Sequence, residues 1–310
     1  MVKELKYADH DEWLRLRQNY IGGSDAGAVI GMNPYKSAYT LWAEKTGKVE
    51  AFAGNLTTTV GAYLEDLVAK LFTEETGKKV QRKNRMLVND EYPFAAANLD
   101  RVVVGEKAFL EIKTTTSVPI MKAIRKGGDE FPEMYYAQCV HYLAVSGFEK
   151  CYLAVLVNCR ELKIYEMERD EAEIAALMEA EKDFWAHVQD GTPPEVDGSN
   201  SCGETLSELY PGGGDGTVML TGLESALRGY VELGDRIKVL KDEQTKAANK
   251  IKEALGNCER GEADGYKVSF TTSVRSSFDA KAFAADHIGM DLGKYYKESV
   301  SRTLRIRETA

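Results

Sequence analysis

The chain has 310 residues, 44% hydrophobic and 29% charged, which suits a globular protein with one large core and an appendage. Its formal net charge of −9 argues against a polyanion binder held by bulk charge, but leaves room for acidic residues at a metal site and basic ones along a channel. The five cysteines form no CxxC pair, the first residues lack an apolar signal core and no apolar run could span a bilayer, so the expectation is a soluble cytoplasmic protein with free thiols and no membrane contact.

In chain order, the pattern predicts a short helix over residues 9–18, a turn through Tyr20-Ile21-Gly22-Gly23-Ser24-Asp25, a small-residue helix over 26–31 and a further helix over 40–46 closed by Gly47. Residues 62–75 read as an amphipathic helix, with Leu64, Leu67, Val68, Leu71 and Phe72 on one face and Gly77 at the C′ position. Glu65 borders that stripe, as a half-buried residue or simply a first-turn glutamate favoured by the helix dipole. A β run is expected near 79–88, a hairpin over 99–114, and a second helix over 133–146 that carries Tyr135, Gln138 and Tyr142 at one-turn spacing.

Residues 150–158 are apolar on both faces, as in a strand covered on both sides, and 160–167 would be its hairpin partner. Asp170 can cap the next helix, which runs to Gly191. The composition then shifts to Pro, Gly, Ser and acidic residues, the best candidate for a linker. We therefore divide the chain into a main domain (1–195), a linker (196–217) and a C-terminal appendage (218–310). The appendage would hold a long helix over 221–255 with apolar residues near a 3.5-residue repeat, opened by a Thr221–Glu224 capping box and with a break near Gly234. Strands over 266–272 and 302–307 would complete it. The fold class is α/β (α+β), a mixed sheet flanked by helices.

The chemistry concentrates in NLDRVVVGEKAFLEIKT, residues 98–114. If Gly105-Glu106 forms a type II′ turn and Val104 faces Lys107, then Asp100 stands opposite Glu111 and Lys113 returns to the same face, while Leu110 and Ile112 point into a core. Two adjacent carboxylates repel unless a cation lies between them, and a hard divalent ion is the natural candidate. Taken alone, the hairpin reads first as an exposed turn with an Asp and a cross-strand Glu–Lys pair on its wet face, and only second as a metal site. The basic residues Lys122, Arg125 and Lys126, and Arg302, Arg305 and Arg307 near the end, are candidate phosphate contacts or ordinary solvated charge. The four histidines are scattered without metal-ligand spacing.

Five ordered segments add to this: IGGSDAGAVIGMNPYKS, GAYLEDLVAKLF, NLDRV, LEIKTTTS and MYYAQCVHYLAV. Together they resemble the YqaJ-like viral recombinases, relatives of the phage lambda-type exonucleases in the PD-(D/E)XK nuclease superfamily. Leu99 stands where the superfamily name has proline. The resemblance implies that Asp100, Glu111 and the carbonyl of Ile112 bind Mg²⁺ (with Mn²⁺ as a substitute), with Glu65 completing the metal environment. It implies that Lys113 orients or helps deprotonate the attacking water and that Gln138, with Tyr135, supports it. Arg17 and Ser24 match positions that receive a DNA phosphate, with Tyr135 nearby.

The expected activity is metal-dependent exonucleolytic digestion of linear duplex DNA from 5′ ends, leaving 3′ single strands for recombination by annealing. The resemblance further implies duplex DNA ends and a single-strand annealing protein as partners, a ring-like homo-oligomer, and a phage or prophage origin in a bacterial cytoplasm. The alternatives are a RecB-like or structure-specific endonuclease of the same superfamily, and a non-catalytic DNA-binding or scaffold protein.

Overall fold

The computed structural model describes residues 1–128, 130–214, 216–288, 290–291, 293–297 and 302–306. Strand β1 (Val2–Leu5) leads to helix α1 (His10–Arg17), whose N-cap Asp9 accepts a hydrogen bond from Glu12 N. Strand β2 (Ile21–Gly22) and helices α2 (Gly23–Val29) and α3 (Ala38–Lys45) follow. Helix α4 (Leu56–Thr76) starts well ahead of the expected residue 62, because Asn55 and Thr58 cap each other's backbone N–H groups. It ends at Gly77 with φ +72°, as its C′ glycine suggested.

The single β run expected over 79–88 is two short strands in different sheets, β3 (Val80–Gln81) and β4 (Met86–Asn89). Between them Arg82 turns out to pair with Asp66 and Lys83 with Glu4, a break that an alternating pattern does not reveal. Strand β5 (Tyr92–Ala97) was not anticipated; β6 (Arg101–Val103) and β7 (Ala108–Thr115) form the hairpin. After them come α5 (Val118–Gly127), α6 (Glu133–Ser146), β8 (Lys150–Val157), β9 (Glu161–Glu168) and α7 (Glu171–Asp190), with Asp170 as the α7 N-cap. Helix α8 (Asn200–Leu209) lies inside the stretch read as linker. Its Cys202 is fully buried, Ser201 Oγ accepts from Ser37 N at 2.9 Å and Thr205 Oγ1 lies 2.8 Å from Thr40 Oγ1. A polar, Gly-rich composition thus concealed a helix docked on α3.

One sheet has the order β1-β4-β5-β2 and the other β3-β6-β7-β8-β9. In the second, β7 and β8 are parallel over their whole length and joined by α5 and α6, while β6–β7 and β8–β9 are antiparallel. Strand β7 is covered on both faces. Phe109 packs with Tyr142 of α6 in the larger core, whereas Leu110 and Ile112 pack with Val68 and Phe72 of α4 in a second one. Leu67, expected on the buried stripe of α4, is exposed.

The chain divides into two units, Met1–Pro211 and Gly212–Ala310. The second holds the 32-residue helix α9 (Glu224–Leu255), the hairpin β10 (Arg260–Ala263) and β11 (Tyr266–Ser269), helix α10 (Ala280–Asp286) and a 3₁₀ turn, Gly293–Tyr295. Helix α9 runs unbroken through Gly234. Its N-cap is Leu223, and Glu224 accepts from Gly222 N, so the Thr221 capping box is absent. Residues 302–306 form no strand, and Arg307 lies outside the described residues.

Candidate active site

The β6–β7 register pairs Arg101 with Leu110 and Val102 with Phe109, which carried one residue further sets Asp100 opposite Glu111. The connection spans residues 104–107 rather than two residues, since Val104 N donates to Lys79 O and is drawn toward β3. The register, not the turn type, positions the carboxylates, and it is the expected one. Asp100 Oδ2 accepts from Ile112 N at 2.8 Å. Glu111, 2% exposed, has one oxygen occupied twice: Oε1 lies 2.8 Å from Lys113 Nζ and accepts from Gln138 Nε2 at 2.6 Å. Its other oxygen, Oε2, is buried with no hydrogen-bond partner.

Burial raises the proton affinity of both carboxyls, and for Asp100 the neighbouring Glu111 charge adds to it, lifting Asp100 well above the usual carboxylate range. For Lys113 burial works toward the neutral amine, but the facing Glu111 and Asp100 outweigh it and hold the group above its ordinary value. Held by these carboxylates, Lys113 is placed to donate to water and to balance negative charge. Its Nζ stands 5.8 Å from the centre of the Tyr135 ring. A cavity of about 830 Å³ opens beside it, lined among others by Thr114, Thr116, Ser117, Tyr135, Lys36 and Asn55.

Gln138 also donates to Tyr142 Oη at 3.3 Å. Tyr142 in turn lies so close to Gly23 that a Cβ there would come within 2.3 Å of its ring, so glycine is what lets α2 approach α6. That approach brings the loop before α2 to the site. Arg17 Nη2 donates to Ser24 Oγ, so two residues proposed for one phosphate do meet. Behind them is Asp25, which sequence reading passed over. It is 4% exposed; although burial opposes ionisation, Lys45 at 3.0 Å and Arg17 at 3.4 Å hold its carboxyl down at about 2. The buried carboxylate fixes the guanidinium, and the S-D pair in the turn was its only sequence signal.

Glu65 is placed differently from the expectation. Arg101, opposite Leu110, faces α4, where its guanidinium pairs with Glu65 and with Asp66 at 2.7 Å and donates to the Asp100 carbonyl at 2.5 Å. The Glu65 charge still reaches Asp100 electrostatically, but its nearest partner is an arginine. Among the described residues no group of three or more His, Cys, Asp or Glu side chains could hold a metal ion by itself. Lys122, Arg125 and Lys126 are exposed on α5.

A divalent cation fits what is present. Two carboxylates with raised proton affinity, one offering a buried unpaired oxygen, form the incomplete oxygen-donor set that Mg²⁺ uses with water and phosphate.

A mixed sheet flanked by helices, with Asp100 immediately before β6 and Glu111 and Lys113 on the neighbouring β7, has the PD-(D/E)XK fold. The solved alkaline exonuclease LHK-Exo of Laribacter hongkongensis shares it, with a TM-score of 0.51 at 20% identity over 59% of this chain and 94% of that one; its complex with dAMP aligns equally well. Residues 12–149 match the model of the YqaJ-like viral recombinase domain. Protein YqaJ of Bacillus subtilis (strain 168) is 35% identical over 97% of this chain and 95% of its own length. The chain belongs to the YqaJ-like viral recombinase family.

Proposed function

We propose that the chain is a metal-dependent deoxyribonuclease that digests linear duplex DNA from 5′ ends and leaves 3′ single strands for annealing. The observation that carries this reading is the Asp100–Glu111–Lys113 cluster, with its buried and unpaired Glu111 oxygen. Family membership and the fold shared with an alkaline exonuclease support it.

Asp100, Glu111 Oε2 and the Ile112 carbonyl would hold one Mg²⁺ or Mn²⁺ ion. When bound, that ion supplies polarisation of the scissile phosphate and lowers the cost of making hydroxide from water. The ammonium of Lys113, held by Glu111, orients the water and stabilises charge that grows on the phosphate. Gln138 fixes the Glu111 rotamer and so the line of attack. Arg17 and Ser24 receive a phosphate of the DNA end, with Asp25 keeping the guanidinium fork aimed. Tyr135 covers the Lys113 side of the site. Arg101 acts at a distance by restraining Glu65 and the Asp100 backbone. Partners on this reading are duplex ends, a single-strand annealing protein, and further copies in a ring. The setting is the bacterial cytoplasm, from a phage or prophage; no described helix is long and apolar enough to cross a membrane.

The test is nucleotide release from a 5′-phosphorylated linear duplex with Mg²⁺, against EDTA and against Asp100→Ala. We expect loss by roughly 10³-fold or more in both controls, since the charge-stabilising set is then incomplete. Covalently closed circles should remain intact. Equal release in all three arms ends the proposal, and cutting of circles redirects it to an endonuclease.

A further inference from the structure

Helix α9 carries an apolar seam that the described residues of its own chain leave exposed. Written as heptads, the a positions are Leu223, Tyr230, Ile237, Gln244 and Ile251, and the d positions are Ala226, Leu233, Leu240, Ala247 and Ala254. That is a strict 3.5-residue repeat with one polar member, the signature of a coiled-coil strand. None of the residues of α9 is buried, and the large apolar members of the seam are 48% to 61% exposed.

We propose that the occupant is a second copy of this chain, paired antiparallel about a two-fold axis between Lys238 and Val239. Three features favour that register. In three of its five layers large residues meet small ones: Leu223 faces Ala254, Tyr230 faces Ala247 and Ile251 faces Ala226 of the second copy, while Ile237 meets Leu240 at the centre and Leu233 covers the stem of Gln244. A parallel pair would instead stack Tyr230 on itself and leave three Ala–Ala layers underfilled. The flanking charges agree as well. Arg236 and Glu243 occupy g positions, and antiparallel pairing sets each against the other on both sides of the axis. Parallel pairing would set Arg236 against Lys241.

The third feature is independent of the repeat. Ile251, Ala254 and Leu255, with Ala263, Tyr266 and Val268 of the β10–β11 hairpin, line an apolar cavity of about 520 Å³. The antiparallel register brings Leu223 of the second copy onto Ala254, at that cavity, with Leu220 three residues before it. These residues belong to an exposed apolar run, Val218, Met219, Leu220 and Leu223, that stands immediately before and at the start of α9. The two-fold contact is thus closed, each copy contributing one cavity and one plug at either end.

The full-length chain should sediment at about 20 µM as a particle with an even number of copies. I237E/L240E, at exposed positions of its own chain, should halve that mass. R236E should weaken association about tenfold, through like charges at both symmetric sites, and R236E/E243R should restore it. A natural chain that is a monomer or an odd-numbered assembly, an unchanged mass for I237E/L240E, or an R236E variant that associates as well as or better than the natural chain overturns the proposal.

Discussion

At the scale of single residues, two charge clusters make opposite demands. The proposed site is under-satisfied, with repelling carboxylates and an unpaired oxygen, whereas Arg101 is over-subscribed by Glu65, Asp66 and the Asp100 carbonyl. Arg101→Met keeps the stem but strands Glu65; because both carboxylates reach water, the loss should fall below that of a fully buried pair, about 2 kcal/mol in a denaturant titration. No loss of stability would show that the pair is idle. His141 makes a second prediction. Burial disfavours its charge, but Nδ1 lies 2.8 Å from Glu181 and Nε2 3.0 Å from the Ala96 carbonyl, so the ring is best satisfied as imidazolium and titrates above its ordinary value. The folded state then binds the proton more tightly than the unfolded chain. The stability from His141 is complete below about pH 6.5 and is lost as pH rises through the folded-state value. His141→Gln should cost more at pH 5.5 than at pH 8.5 in thermal melts; the reverse order would contradict the assignment.

At the scale of elements, patterning and packing part company. Helices α6 and α7 and strand β8 agree with their apolar pattern and capping residues, because Gly147, Asp170 and Gly191 punctuate them locally. The two halves of the 79–88 run could not be separated in the same way. Which sheet each joins depends on partners elsewhere in the chain, Val2–Leu5 and Tyr92–Ala97 for β4 and Val102–Val103 for β3. Helix α8 shows the same limit: its short buried face, Cys202 and Thr205, has meaning only against α3. A chain ending at residue 197 should therefore melt lower than one ending at 211. Exposing that face corresponds to about 2 kcal/mol, or roughly 4–8 °C for a domain of this size. Matching melting points would mean that α8 is merely attached.

At the scale of the whole molecule, every residue proposed for hydrolysis lies in the unit Met1–Pro211, while the open seam of α9 belongs to Gly212–Ala310. Residues 1–211 alone should keep Mg²⁺-dependent hydrolysis of linear DNA while losing two-fold association, readable by digestion and sedimentation side by side. Inactive but folded 1–211 would move part of the site into the second unit. The amino-acid order by itself determined the Asp100–Glu111–Lys113 face, since strand alternation and hairpin register are local consequences of which residues follow which. It also determined the heptad seam, again a local period. Tertiary structure alone decided that Arg101 takes Glu65, that Asp25 braces Arg17, and that Gln138 shares the Glu111 oxygen with Lys113. Those partners come from different elements, and a side chain's choice among several opposite charges is set by packing distance and desolvation, which sequence spacing does not encode.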